Sequence, residues 1–169
     1  MSTISLSLDE IFDLAKKTLL ANGCDDETAS ILSDLIRNAE RDGSLSHGLF
    51  RLPAYVSGLK SGKINGKGKP EVKKISASVI KVQGNNCLAP VVLSKGLPEL
   101  SKAAKENGVA VLGINNSHHM AAMWPETEKL AEEGLVAFAC TSYKPAVAPA
   151  GAIKPLFGTN PISFAWPRP

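Results

Sequence analysis

Hydrophobic residues recur at helical spacing near the start of the chain. Residues 7–10 (SLDE) have the residue types of a capping box, and apolar residues then follow three and four positions apart until Gly23. The sequence therefore predicts an amphipathic first helix. A second helix is predicted from Asp25 or Asp26 until Gly43, and a third over residues 53–59, where a proline suits the first turn.

The pattern changes after residue 70. Apolar residues between Val72 and Val82 indicate strand structure, and the following GNN sequence indicates a turn. Further along we predict a helix over residues 91–107 that is interrupted at Pro98, and then a buried strand over residues 109–114. A second helix is predicted over residues 119–133, and two more strands over residues 135–141 and 161–165. This order is typical of an α/β fold. We divide it into an N-terminal helical segment, residues 1–70, and an α/β cofactor-binding segment, residues 71–169.

Composition excludes several classes of function. The chain has 169 residues, and its net charge of +3 comes from 19 basic and 16 acidic residues that form no polyanion-binding tract. The lysine-rich stretch over residues 60–74 has glycines but no aromatic partners, so we interpret it as a solvated loop and expect no nucleic-acid binding. Three cysteines, an odd number, indicate reduced thiols in a cytoplasmic protein. No apolar run is long enough to span a membrane, and residues 1–8 lack the features of a signal peptide.

The SHGLFR sequence over residues 46–51 places a hydroxyl, an imidazole and a guanidinium close together. If these residues form one helical turn, His47 and Arg51 lie on the same face. Arg51 is then suited to bind a carboxylate through two parallel hydrogen bonds, and His47 to transfer a proton. The structural alternative is that Ser46 caps a helix, His47 is half exposed and Arg51 pairs with a surface acid.

Two further polar clusters precede apolar segments. Residues 115–119 (NNSHH) lie between a predicted strand and a predicted helix, where free backbone amides attract anions such as the phosphates of a cofactor. The alternative is that Asn116 or Ser117 caps the helix while the histidines bind local carbonyls. Adjacent histidines point apart on a helix and no cysteine has ligand spacing, so we expect no metal. Residues 158–161 (GTNP) form a polar turn before the last strand.

Three segments of the chain resemble the malate/L-lactate dehydrogenase type 2 family of NAD(P)-dependent oxidoreductases. They are SHGLFRLPAYVSGLKSG, NNSHHMAAMWPETEKLAEEGLV and VAPAGAIKPLFGTNPISFAWP. Within them, HHMAAMWPE and KPLFGTNPISF resemble the branch that reduces cyclic imino acids. The resemblance implies the family's own nicotinamide-binding fold, the L-sulfolactate dehydrogenase-like fold, with a mixed, mostly antiparallel sheet and flanking helices. No G-x-G-x-x-G follows a predicted strand, so we expect no Rossmann fold.

The resemblance also implies roles for individual residues. His47 would supply a proton that Ser46 relays or orients, while Arg51 and Thr159 would bind the substrate carboxylate. The implied cofactor is NADPH, with NADH possible, and its site would be lined by His118, His119, Met120, Ala121 and Ala122.

The implied reaction is the reduction of Δ1-pyrroline-2-carboxylate or Δ1-piperideine-2-carboxylate to L-proline or L-pipecolate. The alternative within the family is an NAD-dependent dehydrogenase of 2-hydroxy acids, whose 2-oxo acids would use the same groups. An alternative of another class is an inactive or binding fragment without turnover. Family members are longer, and the acidic residue that completes their proton relay lies beyond residue 169, so we expect an amino-terminal portion of such an enzyme. We also expect a homodimer and no membrane partner.

Overall fold

The structure, a computed structural model, describes residues 4–118 and 121–168. It divides into two compact units, Met1–Ala122 and Met123–Pro169, which are described separately. The first unit begins with helices α1 (Leu8–Ala21) and α2 (Asp26–Arg41), continues through two single turns of 3-10 helix, η1 (Leu45–His47) and η2 (Leu49–Arg51), and adds helix α3 (Leu52–Lys60).

The helix starts follow the local sequence signals. The Ser7 side chain accepts a hydrogen bond from the Glu10 amide at 3.2 Å, and the Glu10 carboxylate accepts one from the Ser7 amide at 2.8 Å, so the predicted capping box is confirmed. At α2, the Asp25 carboxylate accepts from the Thr28 amide at 2.9 Å. These bonds satisfy amides that have no partner inside their helices.

The first hydrophobic core lies among α1, α2 and α3. Most of its apolar side chains come from the buried stripe of each helix, and Cys24, Ile64 and Leu88 add to it from outside these helices. The largest that are entirely buried include Leu19, Leu32, Ile36 and Tyr55. Complete burial of one such aliphatic side chain contributes about 1.5 to 3 kcal/mol. The helical arrangement before residue 61 therefore rests on the 3.6-residue periodicity that the sequence shows.

A three-stranded sheet follows, formed by β1 (Glu71–Lys74), β2 (Val79–Gln83) and β3 (Val111–Asn115) in the order β1-β2-β3. β1 pairs with β2 antiparallel, whereas β2 pairs with β3 parallel across helix α4 (Ala89–Asn107). A second core joins α4 to the sheet through Val82, Val92 and their neighbours. α2 also packs against α4, so the boundary predicted at residue 70 falls inside the first unit.

Two expectations for this sheet region are wrong. α4 continues through Pro98, because residues on both sides of the proline are buried against the sheet, among them Gly96 and Ala103. β3 is not a buried strand, since Val111 is 59% exposed. It is an edge strand among the described residues, and a run of apolar residues does not distinguish an edge strand from a central one.

The second unit contains helix α5 (Trp124–Glu132) and the antiparallel strands β4 (Ala137–Cys140) and β5 (Ile162–Ala165). α5 packs against both strands, and Thr127 Oγ1 lies 2.7 Å from Ser163 Oγ. On the opposite face of this strand pair, the paired residues Phe138 and Phe164 are 63% and 62% exposed. Two of the three described strand pairings are therefore antiparallel, which confirms the predicted mixed, mostly antiparallel sheet structure.

α5 begins later than predicted. The expected helix over residues 119–133 starts at Trp124, with Pro125 in its first turn. A proline has no amide to donate and is favoured where helical amides lack partners, so it marks the beginning of this helix. Residues 119 and 120 lie outside the described part of the chain.

None of the described helices combines the length and apolar character needed to cross a membrane.

Candidate active site

The end of α2 leads the chain into the segment that carries Ser46, His47 and Arg51. Gly43 has φ of +71°, a left-handed conformation that glycine adopts without a steric cost. The Gly43 amide donates to the Glu40 carbonyl at 3.1 Å, and the Ser44 amide donates to the Ala39 carbonyl at 2.8 Å. This pair of bonds is a Schellman motif, which ends the helix and reverses the chain. It places η1 beside the last turn of α2.

His47 and Arg51 lie on two successive turns. The His47 amide donates to the Ser44 carbonyl at 2.8 Å, and the Arg51 amide donates to the Gly48 carbonyl at 2.9 Å. Gly48 separates the two turns with ψ of −134°, so the condition of one helical turn over residues 46–51, which would place His47 and Arg51 on the same face, is not met. The predicted third helix is confirmed as α3, which begins directly after Arg51.

Two serine hydroxyls contact one nitrogen of His47. Ser46 Oγ lies 3.0 Å from Nδ1, and Ser44 Oγ lies 3.3 Å from the same atom. In the imidazolium form Nδ1–H can donate to either serine oxygen, and Nε2 then carries the proton that the ring can transfer. The structure thus brings Ser46 and His47 together. Sequence reasoning missed Ser44, although its position three residues before His47 was a usable signal. The alternative that Ser46 caps a helix is wrong, because Ser46 lies inside η1.

Arg51 is half buried and holds an unsatisfied donor. Its Nε is buried and has no hydrogen-bond partner among the described residues. Arg51 forms no ion pair in the described part of the chain. The structural alternative, in which Arg51 pairs with a surface acid, is therefore not observed. Burial raises the pKa of Tyr55 to about 12, and the nearby Arg51 charge acts in the opposite direction. Arg51 therefore has a buried donor, Nε, that no acceptor among the described residues satisfies.

Glu40 connects α2 to the second turn of the site. Its Oε1 accepts a hydrogen bond from the Leu49 amide at 2.7 Å. A Cβ on Gly48 would lie 2.7 Å from Cγ of Glu40 and nearer still to its carboxyl group. Sequence analysis did not single out Glu40, because a glutamate in the last turn of a helix is ordinarily a solvated surface residue.

The cluster over residues 115–119 differs from its prediction. The His118 amide donates to the Cys87 carbonyl at 3.0 Å, and the His118 carbonyl accepts from the Ala89 amide at 2.8 Å. The prediction that free backbone amides lie at a helix start here is therefore wrong, since α5 begins only at Trp124. Nε2 of His118 lies 2.9 Å from the carbonyl of Lys63, which is 55 residues away in the chain, so His118 contacts a distant carbonyl and not a local one.

The groups near this cluster fit a ligand that carries hydrogen-bond donors. Gln83, which pairs with Asn115 at the ends of β2 and β3, has a buried Oε1 without a hydrogen-bond partner among the described residues. A carboxamide or an adenine would bring N–H groups for such an acceptor. Ala121 is half buried and Ala122 is buried, and both are small enough for a ligand to approach their backbone. His119 and Met120 lie outside the described residues.

Thr159 belongs to the second unit. It is exposed, and it precedes Asn160, which has φ of +41° and whose side-chain oxygen accepts from the Tyr143 amide at 3.0 Å. A Cβ on Gly158 would collide with the Tyr143 carbonyl, so this position requires glycine. These contacts fix the turn that presents Thr159. Its expected position opposite Arg51 stays a prediction.

The described residues combine a mixed three-stranded sheet, its flanking helices and a segment that carries Ser46, His47 and Arg51. The sequence profile of the malate/L-lactate dehydrogenase family matches residues 6–169, and the chain belongs to this family.

Individual relatives agree with this placement. The chain is 42% identical over 166 residues to a Δ1-pyrroline-2-carboxylate/Δ1-piperideine-2-carboxylate reductase of Pseudomonas syringae pv. tomato. The aligned region covers 98% of this chain and 48% of that relative. The crystal structure of a Δ1-piperideine-2-carboxylate reductase from the same organism superposes with a TM-score of 0.92, over 98% of this chain and 50% of that one, at 42% identity. A (2R)-3-sulfolactate dehydrogenase (NADP+) of Chromohalobacter salexigens is 39% identical over 96% of this chain and 49% of its own length. The chain spans about half the length of these relatives.

Proposed function

We propose that this chain contributes to the NADPH-dependent reduction of a cyclic imino acid, Δ1-pyrroline-2-carboxylate or Δ1-piperideine-2-carboxylate, to L-proline or L-pipecolate. The observation that carries the proposal is the buried Nε of Arg51, which has no hydrogen-bond partner among the described residues and lies next to the turn that holds His47. The 42% identity to a reductase of that name supports it. We further propose that the protein acts in the cytoplasm as a homodimer.

Arg51 is proposed to bind the substrate carboxylate together with Thr159. A guanidinium presents N–H donors in a planar fork that matches the two oxygens of a carboxylate. A buried donor without a partner costs stability in the free protein, and a bound carboxylate would remove that cost. The substrate would therefore be held at its acid group, with its C=N bond directed away from the guanidinium.

His47 is proposed to be the proton donor, because imine reduction needs a proton on nitrogen. NADPH, when bound, supplies the hydride for the imine carbon. With the ring in its imidazolium form, Nδ1–H would donate to the Ser44 or Ser46 oxygen. This orients the ring so that Nε2 faces the imine nitrogen, donates its proton and leaves a neutral imidazole. The serine oxygens would also stabilise the neutral ring that remains, which keeps its proton on Nδ1.

The cofactor is proposed to lie along His118, Ala121 and Ala122, with His119 and Met120 completing the site. The Gln83 carbonyl oxygen is a further acceptor close to these residues in the fold. NADPH rather than NADH is supported by the NADP+-dependent relative.

A second candidate is an oxidoreductase of 2-hydroxy and 2-oxo acids, which the 39% identity to a sulfolactate dehydrogenase favours. Such substrates also carry a carboxylate and would accept a proton on oxygen instead of nitrogen. Joining this chain to the half of the Pseudomonas reductase that it does not match would give a protein for steady-state kinetics. We expect a higher kcat/KM for the cyclic imines with NADPH than for pyruvate or oxaloacetate, and the reverse order would assign the second function.

Two variants of that protein test the proposed roles. His47→Asn should lower kcat about 10²- to 10⁴-fold with little change in NADPH affinity. Arg51→Lys should raise KM and cost on the order of 2 to 4 kcal/mol in kcat/KM, because an ammonium lacks the planar fork. Quenching of Trp124 or Trp166 by NADPH without turnover on either substrate class would instead indicate a binding protein.

A further inference from the structure

Glu40 lies at the junction between the helical core and the candidate site. It belongs to the last turn of α2 and is half buried, and its Oε1 accepts the Leu49 amide at 2.7 Å. Leu49 is the first residue of η2, the turn that carries Arg51. The carboxyl group also occupies the space where a side chain on Gly48 would lie. Glu40 thus contacts the segment between His47 and Arg51.

The loop that carries His47 is fastened at both ends to the same turn of α2. At its start, the Ser44 amide donates to the Ala39 carbonyl. At its end, the Leu49 amide donates to the Glu40 side chain. The bond from the Gly48 amide to the Leu45 carbonyl, which closes η1, is long, at 3.4 Å. The charge-assisted bond to Glu40 is the stronger of the two contacts.

We propose that Glu40 is a positioning residue that sets the placement of His47 relative to Arg51, and that Gly48 lacks a side chain so that the Glu40 carboxylate can reach the Leu49 amide. Glu40 acts through the backbone, so it need not contact substrate or cofactor. Its effect on catalysis rests on the proposed function, whereas its effect on the loop does not.

The direct test is NMR of this 17.8 kDa chain. Glu40→Ala removes the acceptor, and Glu40→Gln keeps an oxygen of the same reach. Loss of a hydrogen bond to a charged group should speed exchange of the Leu49 amide by about 10- to 100-fold in Glu40→Ala, and Glu40→Gln should restore most of the protection. The His47 ring signals in a proton–nitrogen correlation should shift in Glu40→Ala and return toward wild type in Glu40→Gln. Glu99→Ala, an exposed glutamate on α4, is the matched control and should change neither.

Gly48→Ala provides a second variant that leaves Glu40 in place. The added methyl group would displace the carboxylate, so the Leu49 amide should again exchange faster. Gly113→Ala, where a Cβ meets no atom within 4 Å, is its control. An unchanged Leu49 amide in Glu40→Ala or Gly48→Ala would overturn the proposal, as would unmoved His47 signals or a Gln variant that behaves like Ala.

Kinetics of the joined protein separate this proposal from the proposed function. If the wild-type protein turns over the imine, Glu40→Ala should lower kcat/KM at least 10-fold and Glu40→Gln should recover most of it. Equal kcat/KM in wild type and Glu40→Ala would contradict the positioning role. If the wild-type protein is inactive, the proposed function fails, and the NMR result still decides the role of Glu40.

Discussion

Arg51→Met tests whether the buried guanidinium is kept for a ligand at the expense of stability. Nε of Arg51 is buried without a hydrogen-bond partner among the described residues. Such a desolvated donor costs about 1 to 3 kcal/mol, and an apolar side chain of similar shape removes that cost. Methionine is unbranched and adapts to irregular space, so part of this energy should be recovered. We expect the free energy of unfolding to rise by about 1 to 2 kcal/mol.

The measurement is a thermal melt with and without a carboxylate ligand. For a chain of this length, 1 kcal/mol shifts Tm by roughly 2 to 4 °C, so Arg51→Met should melt about 2 to 8 °C higher than wild type. A planar analogue such as pyrrole-2-carboxylate should raise the Tm of wild type but not of the variant, because only wild type has the guanidinium that binds it.

Arg37→Met is the matched control, since Arg37 has partners for its charge. Its guanidinium lies 2.7 Å from the Asp34 carboxylate and stacks 5.4 Å from the Phe12 ring centre. Removing these exposed contacts should lower the free energy of unfolding by about 1 kcal/mol or less. If Arg51→Met instead melts lower than Arg37→Met, the guanidinium of Arg51 stabilises the fold, and the argument from an unsatisfied donor is refuted.

Two further predictions concern buried titratable groups. Burial raises the pKa of Tyr55 to about 12. Between pH of about 10 and 12 the folded protein therefore retains the phenol proton that the unfolded protein loses. The free energy of unfolding should fall by on the order of 2 to 3 kcal/mol as pH rises through this range. Denaturant titrations across this range, with Tyr55→Phe as reference, check this, and parallel pH profiles for both proteins would contradict it. Burial also raises the pKa of Cys24, to about 11, and that of Cys87, whereas Cys140 is exposed. An aromatic disulfide reagent should therefore modify one thiol rapidly and the other two only on unfolding, and rapid reaction in a Cys140→Ser variant would show that the burial is wrong.

The parts of the site predicted from sequence are those formed by neighbours in the chain. Ser46 and His47 are adjacent, and a hydroxyl beside an imidazole is readable directly from the motif. Ser44 could have been found in the same way. Glu40 could not, because its partner Leu49 lies nine residues away, beyond the periodicity of a helix. The condition of one continuous turn over residues 46–51 is not met because Gly48 divides the segment into two turns, and residue spacing alone does not predict a backbone angle.

Local signals by themselves determined where most of the helices of this protein begin and end. Residues within four positions of each other satisfy the capping bonds of α1 and α2, and Gly43 ends α2 through its own conformation. Only the tertiary structure decided which apolar strand is covered and which buried arginine nitrogen has no partner among the described residues. The exposure of β3 and the unsatisfied Nε of Arg51 depend on residues distant in the chain, because desolvation is set by everything that packs around an atom.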